Sequence, residues 1–354
     1  MSQSTPGSSR PRVAVVFGGR SSEHGVSCQT ARNVIDVIDH DHWSVVPVGI
    51  TEDGRWVQET LPLAPAPAGS LPRVDPDLPR FSWDDLAGFD VVLPLLHGPW
   101  GEDGTIQGLL EMAGVRYVGA GVLASSAGMD KPFTKSLFSA GGLPQLPYVT
   151  IQPGELERDR DRVLARVAAL ELPVFVKPAR AGSSSGVLMV SSEDELEPAV
   201  RAAQEFDPKV VVEAAARGKR ELEVGVLEQP DGSIVASLVG EVVQSGGDHA
   251  FYDFEQKYLD GTAVNVVPAD VSTTVAEQVR SYALQAFRAI GAEGLARVDF
   301  FWTDDGLVIN EINTMPGFTS TSMFPVLWEA SGLSYPELVD HLLRLALTRP
   351  LGLR

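Results

Sequence analysis

The chain reads as an α/β fold that passes into α+β modules. Three observations lead there. Up to about residue 120, apolar strands alternate with helices, the signature of a doubly wound parallel sheet. Beyond the Gly/Pro-rich stretch GGLPQLPY, which begins at Gly141, strands start to follow one another directly, as antiparallel sheets require. The length of 354 residues accommodates two or three domains. A composition of 44% hydrophobic and 21% charged residues is that of a globular chain with ample core, not a disordered one.

In chain order, RVAVVFGG at 12–19 is a β-branched run closed by two glycines, hence a buried strand entering a tight turn. A helix follows from about Cys28 to Ile38, with Ser27 as its expected cap. SVVPVGI at 44–50 is the second strand. Six prolines in 61–80 mark an irregular excursion. DVVLPLLHG at 90–98 is a third strand, and TIQGLLEMAG is a helix closed at Gly114. A short helix spans 130–140. Residues 155–169 read as one helix of mixed charge, with its charges on a solvated face. PVFVKP (173–178), VLMV (187–190) and KVVVE (209–213) are strands around a helix that starts near Ser192 with a capping box. Strands at 220–228, 233–243 and 264–267 read as antiparallel. The long insertion between the last two, QSGGDHAFYDFEQKYLDGT, has the length of a functional lid. A helix covers 273–290. LARVDFFW and GLVINEIN form a hairpin with Asp304, Asp305 and Gly306 at its turn, and the C-terminus is helical.

Three constellations carry chemistry. VFGGRSSEHGVS joins a strand end to a helix start, so its free N–H groups suit an anion, although a plain tight turn reads equally well. Gly18 and Gly19 are adjacent, which excludes the dinucleotide fingerprint. Glu23 within it is either a partner of the helix dipole or a group that holds an ammonium. His97, beside Gly98 at a strand end, is either a site residue or a structural hydrogen-bonder. In VKPARAGSSSG, Lys177 ends a strand before a Gly/Ser loop that is either able to fold over phosphates or a plain flexible surface loop. The lysine precedes the glycines, so this is no Walker A loop. On the last hairpin, the period of two places Arg297 and Asp299 on one face, and Glu311 and Asn313 on one face. Two carboxylates and an amide form an all-oxygen set of the kind Mg²⁺ prefers; the other reading is a salt-bridged strand pair with ordinary cross-strand charges.

Lys plus Arg is 28 against 47 Asp plus Glu, a net charge of −19. That surplus disfavours nucleic acid and anionic membrane as partners. The single Cys28 excludes an intrachain disulfide framework and suits the cytoplasm; it reads as a buried helical residue, not a nucleophile. No apolar run approaches the ~18 residues of a membrane span, and the first residues, MSQSTPGSSRPR, lack the apolar core of a secretory signal.

Eight motifs in order, FGGRSSEHGVS, LHGPWGEDGTIQG, MDK, FVKPARAGSSSG, KRELEVGVL, FYDFEQKYLD, ARVDFF and NEINTMPGFTSTS, resemble those of the D-alanine–D-alanine ligases, members of the ATP-grasp superfamily. The resemblance covers nearly the whole chain. It implies a three-domain ATP-grasp fold, here 1–128 (N-terminal doubly wound α/β), 129–217 (central) and 218–354 (C-terminal). It implies ATP-dependent ligation of two D-alanine molecules through an acylphosphate; relatives use D-lactate or D-serine as second substrate. By resemblance Lys131, Lys177 and Lys257 lie at the ATP phosphates, with Ser183 and Ser184 covering them. Glu213, Ala215 and Ala216 border the adenine, and Glu221 takes the ribose. Asp299, Glu311 and Asn313 hold two Mg²⁺, for which Mn²⁺ can substitute. Glu23 binds the ammonium of the first D-alanine, with Val26 and His97 in the same substrate pocket. Arg297 and the Gly317 amide stabilise the intermediate's oxyanion, Ser322 binds the second D-alanine's carboxylate, and Tyr258 closes over the site, connected through Ser183 to Glu23. The family also implies a homodimer.

Overall fold

The computed structural model describes residues 10–63, 69–182, 185–244 and 263–351. Among the described residues there are three sheets.

The first sheet is built from β1 (Arg12–Gly18), α1 (His24–Val37), β2 (Ser44–Ile50), β3 (Trp56–Gln58) and β4 (Val91–Pro94), with α2 (Thr105–Ala113) after it. Strand order is β3-β2-β1-β4. β1 pairs in parallel with β2 and β4, and β3 is an antiparallel edge. β1 is buried on both faces because both are covered. Val13, Val15 and Phe17 join one core, while Ala14 and Val16 join another with Leu110 and Tyr117. Gly18 ends the strand at φ +88°, where a side chain would strike the Ile50 carbonyl, so only glycine makes this turn.

Next come α3 (Val122–Met129), α4 (Lys131–Ala140), β5 (Tyr148–Ile151), α5 (Glu155–Arg158), α6 (Arg160–Ala168), β6 (Val174–Pro178), β7 (Leu188–Val190), α7 (Glu193–Gln204) and β8 (Val210–Ala214). The second sheet has the order β5-β8-β6-β7 and is antiparallel. One face buries Val174, Val176, Val210 and Val212 against Val163, Val167, Leu196 and Val200 of the helices. The other face carries Lys177 and Glu213.

The third sheet comprises β9 (Arg220–Glu228), β10 (Ile234–Gln244), β11 (Ala263–Val266), β12 (Leu295–Thr303) and β13 (Gly306–Asn313), ordered β11-β10-β9-β12-β13. α8 (Thr273–Ala289) covers one face, together with Phe138 of α4. α9 (Met323–Ala330) and α10 (Tyr335–Thr348) follow. Packing ties distant parts of the chain together: Leu338, Leu342 and Leu343 of α10 belong to the core of the first sheet.

Three local expectations are corrected. α1 begins a turn earlier than Cys28, with Glu23 at its N-cap position. Ser27 lies inside it; its hydroxyl accepts from Gly18 N at 2.8 Å and donates to the Leu95 carbonyl, fastening the helix to the first sheet. The 155–169 stretch is two helices, broken at Asp159. The third strand stops at Pro94, leaving 95–98 as a loop that presents His97. Among the described residues, no helix is long and apolar enough to cross a membrane.

Candidate active site

The 3.6-residue period of α4 places Lys131 and Lys135 one turn apart on a common face. Both reach the side of the second sheet that carries Lys177 and Glu213. Lys131 Nζ donates to the Ala181 carbonyl at 2.8 Å, holding the start of the Gly/Ser loop. Lys135 Nζ pairs with Glu213 Oε1, and Lys177 Nζ pairs with Glu213 Oε2. Lys177 and Glu213 share a face because Lys177 lies opposite Val211 in the β6–β8 register, two residues from Glu213. Burial alone would raise the Glu213 carboxyl, but Lys177 and Lys135 outweigh it and hold it at about 2. Burial lowers Lys131, partly offset by Glu311, with Lys177 lowering it further. Burial also works against Lys177, yet Glu213 and Glu311 raise it.

The opposing wall is the open face of the third sheet. Asp299 lies opposite Glu311 of β13 and opposite Glu223 of β9, so three carboxylates cross three strands in a row. Arg297, one step along the same face, donates Nε–H to Asp299 Oδ1 and Nη2–H to Oδ2, both at 2.7 Å. Its Nε also lies 2.8 Å from Glu223 Oε2. Burial opposes the guanidinium charge, and Asp299 with Glu223 more than restores it, raising Arg297 well above its ordinary range. Asn313, opposite Arg297, donates to Asp299 Oδ2 at 3.0 Å.

A β-bulge makes this face possible. Asp299 pairs with Glu311 but Phe300 pairs with Ile309, leaving Asn310 as one extra residue on β13. Leu307 and Ile309 face the core before it, and Ile312 does so after it. Were Asn310 paired in a regular ladder instead of bulged out, strict alternation would turn Glu311 and Asn313 inward.

A second group of candidate residues is assembled from loops. Glu23, 6% exposed, sits between Gly98 and Gly182: a Cβ on either would stand 2.5 or 2.7 Å from Glu23 Oε2. Those two glycines let loops from the first and second sheets close on one carboxylate. Glu23 makes no side-chain cap bond to α1, so helix capping does not account for it. His97 is buried, 3.5 Å from Glu102 Oε1 through Nδ1 and 3.3 Å from Thr30 Oγ1 through Nε2. Burial works against its proton, but Glu102, Glu23 and the Met315 backbone raise its pKa. The loop after β13 therefore reaches His97. In that loop Ser322 Oγ bonds Thr319 N at 3.1 Å and Thr319 Oγ1 at 2.7 Å, and Gly317 lies against it. Val26 is buried within α1. Glu221 is held by Lys219 at 2.6 Å, with Ala215 at the start of the β8–β9 connection. Ser183, Ser184, Lys257 and Tyr258 lie outside the described residues.

Two residues of this site escape a reading of the sequence alone. Lys135 is signalled only by its spacing of four from Lys131, and Glu223 only by its alternation with Glu221. Cys28 is buried, and burial pushes its thiol up to about 12, which keeps it inert.

Lysines of α4 and the second sheet stand across from carboxylates of the third sheet, beside an α/β domain, which is the arrangement of the ATP-grasp class. Family models described as D-ala D-ala ligase N-terminus and D-ala D-ala ligase C-terminus match residues 12–120 and 137–344. The chain belongs to the D-alanine–D-alanine ligase family. It is 52% identical over 378 residues to the D-alanine–D-alanine ligase of Mycobacterium avium, covering 98% of this chain and 99% of that one. It is 53% identical over 375 residues to that of Kineococcus radiotolerans, with the same coverage. Among solved structures, the D-Ala:D-Ser ligase VanG of Enterococcus faecalis superposes with a TM-score of 0.80 at 32% identity, over 96% of this chain and all of that one. The D-alanine–D-alanine ligase of Coxiella burnetii gives 0.76 at 35%, over 96% and 94%.

Proposed function

We propose that the chain joins two D-alanine molecules into D-alanyl-D-alanine, for peptidoglycan precursors in a bacterial cytoplasm. The first D-alanine's carboxylate takes the γ-phosphoryl group of ATP, leaving ADP, and the amine of the second D-alanine then attacks the acyl carbon of this acylphosphate and expels phosphate. The observation that carries this is the lysine set, Lys131 and Lys177, standing within electrostatic reach of Glu311 across from it. Phosphoryl transfer is mostly positioning and charge neutralisation, and this pairing of walls provides both.

Asp299, Glu311 and Asn313 fit a hard divalent cation: two carboxylates in direct register and an amide oxygen, on a face kept out of the core by the bulge. They would hold Mg²⁺, or Mn²⁺ in its place, and the metal when bound would neutralise phosphate charge. Lys131 and Lys177 neutralise the rest. Glu213, held by two lysines, keeps Lys177 extended toward the cleft, and Glu221 sits where a ribose would end. Glu23 holds the first ammonium beside His97 and Val26. Arg297 and the Gly317 amide steady the developing oxyanion. Ser322 binds the second carboxylate, and Ser183, Ser184, Lys257 and Tyr258 would complete the enclosure. We assign the working unit as a homodimer, on the family resemblance.

D-Alanine is preferred over D-lactate or D-serine as second substrate because the curated relatives at about half identity are D-alanine–D-alanine ligases, whereas the D-serine enzyme is only 32% identical. Phosphate release with ATP and D-alanine, with the product weighed by mass spectrometry, tests the reading. Equimolar D-alanine plus D-serine or D-lactate should leave D-alanyl-D-alanine as the main product. A mixed product in excess would overturn it.

A further inference from the structure

Arg297 and Asp299 have conflicting duties in the reading above. Both Asp299 oxygens accept from the Arg297 guanidinium at 2.7 Å, and one also accepts from Asn313. With three of its about four lone-pair sites so taken, this carboxylate is contested between the guanidinium and any divalent cation. Arg297 cannot then turn to water, because its side chain is 18% exposed and a buried cation without a counter-charge is costly. Its position must be kept, since an oxyanion stabiliser works only when preorganised.

Glu223 is placed to resolve the conflict. It lies opposite Asp299 on the neighbouring strand β9, on the flank of Asp299 away from Glu311. Its Oε2 is already 2.8 Å from Arg297 Nε, although the Nε–H itself is donated to Asp299. Its side chain is 13% exposed, so it too is held in the sheet face. We infer that Glu223 is a positioning residue for Arg297: it retains the guanidinium when Asp299 gives its oxygens to the metal, and so lowers the competition that Arg297 poses for that site. The inference rests on the metal assignment of Asp299, Glu311 and Asn313.

The test is a double-mutant cycle on metal affinity. Mn²⁺ binding to the full-length enzyme–ADP complex is followed by electron paramagnetic resonance. Glu223→Gln should raise the Mn²⁺ dissociation constant by about tenfold, the scale of one charge-assisted hydrogen bond. In an Arg297→Met background the same substitution should change it by less than about twofold, because the competitor is gone. A loss of equal size in both backgrounds would overturn the inference, making Glu223 a direct charge on the metal and not a holder of Arg297. No effect in either background overturns it as well. If Glu223→Gln does not fold, Glu223→Asp, which draws the charge back by one methylene, carries the same cycle. Glu311→Gln separates this from the reading beneath it. If that variant binds Mn²⁺ as well as the parent, the metal assignment itself fails; if it binds weakly and the cycle is flat, only the role of Glu223 does.

Discussion

The two walls of the cleft are built on opposite arithmetic. On α4 and the second sheet, Lys131, Lys135 and Lys177 gather round Glu213. On the third sheet, Glu223, Asp299 and Glu311 gather round Arg297. Each wall carries one counter-charge that lets it fold, and each keeps a surplus of opposite sign. The lysine wall is arranged by a helix packed across a sheet; the carboxylate wall is arranged by register within a single sheet. The first should therefore tolerate local change in helix contacts, whereas the second depends on alternation along β13.

The largest expected effect breaks that alternation. Ile312→Glu places a carboxylate on the buried face of β13 just past the bulge. Burying an unpaired carboxylate costs several kcal/mol, so this variant should yield no folded protein, while deletion of Asn310, which leaves Glu311 and Asn313 on the open face of a regular ladder, should still fold. An Ile312→Glu variant with normal melting would show that the register does not set the face. Next, Asp299→Ala and Glu311→Ala should each lower turnover by about 10³-fold or more, the scale of lost charge stabilisation at such sites, with circular dichroism unchanged. Near-normal turnover in both at saturating Mg²⁺ would remove the metal assignment.

The lysine wall can be read through pH. Glu213 is held at about 2, below its ordinary 4.5. A depressed carboxyl contributes stability that is present above pH 4.5 and drains away as pH falls toward 2, on the order of a few kcal/mol. Glu213→Gln should flatten the melting temperature over that window; an unchanged slope would mean that the two lysines do not hold the carboxylate charged. For the substrate loops, Glu23→Gln should weaken the first D-alanine constant by roughly 30- to 1000-fold, because a charge-assisted bond is lost and an ammonium left unpaired. Initial rates over a wide D-alanine range resolve it, and an unaltered first constant would reduce Glu23 to a dipole partner of α1. Ser322→Ala removes only a neutral hydroxyl. It should weaken the second constant by about fivefold, the scale of one neutral hydrogen bond, and spare the first.

The sequence by itself determined the parts of this protein that depend on near neighbours. β2 and β9 fall where alternation and β-branching put them, and Gly114 closes α2 in the left-handed conformation, as a glycine at that position should. The carboxylates of the last hairpin were legible because a hairpin's register follows from its turn, and even the bulge left a mark in the change of spacing from Leu307 and Ile309 to Ile312. β3 and β5 were not legible: β3 has only 3 residues beside β2, too few to show an alternation, and β5 pairs with β8 far along the chain. Ser27 reads as a cap in the sequence because its true partners, Gly18 at the end of β1 and Leu95 just past β4, come together only in the fold. Lys135 and Glu223 acquire meaning only from Glu213 and Arg297, tens of residues distant. Tertiary structure decided these because ion pairing follows distance in space, and the low dielectric that makes a pair matter exists only once the sheets have closed over it.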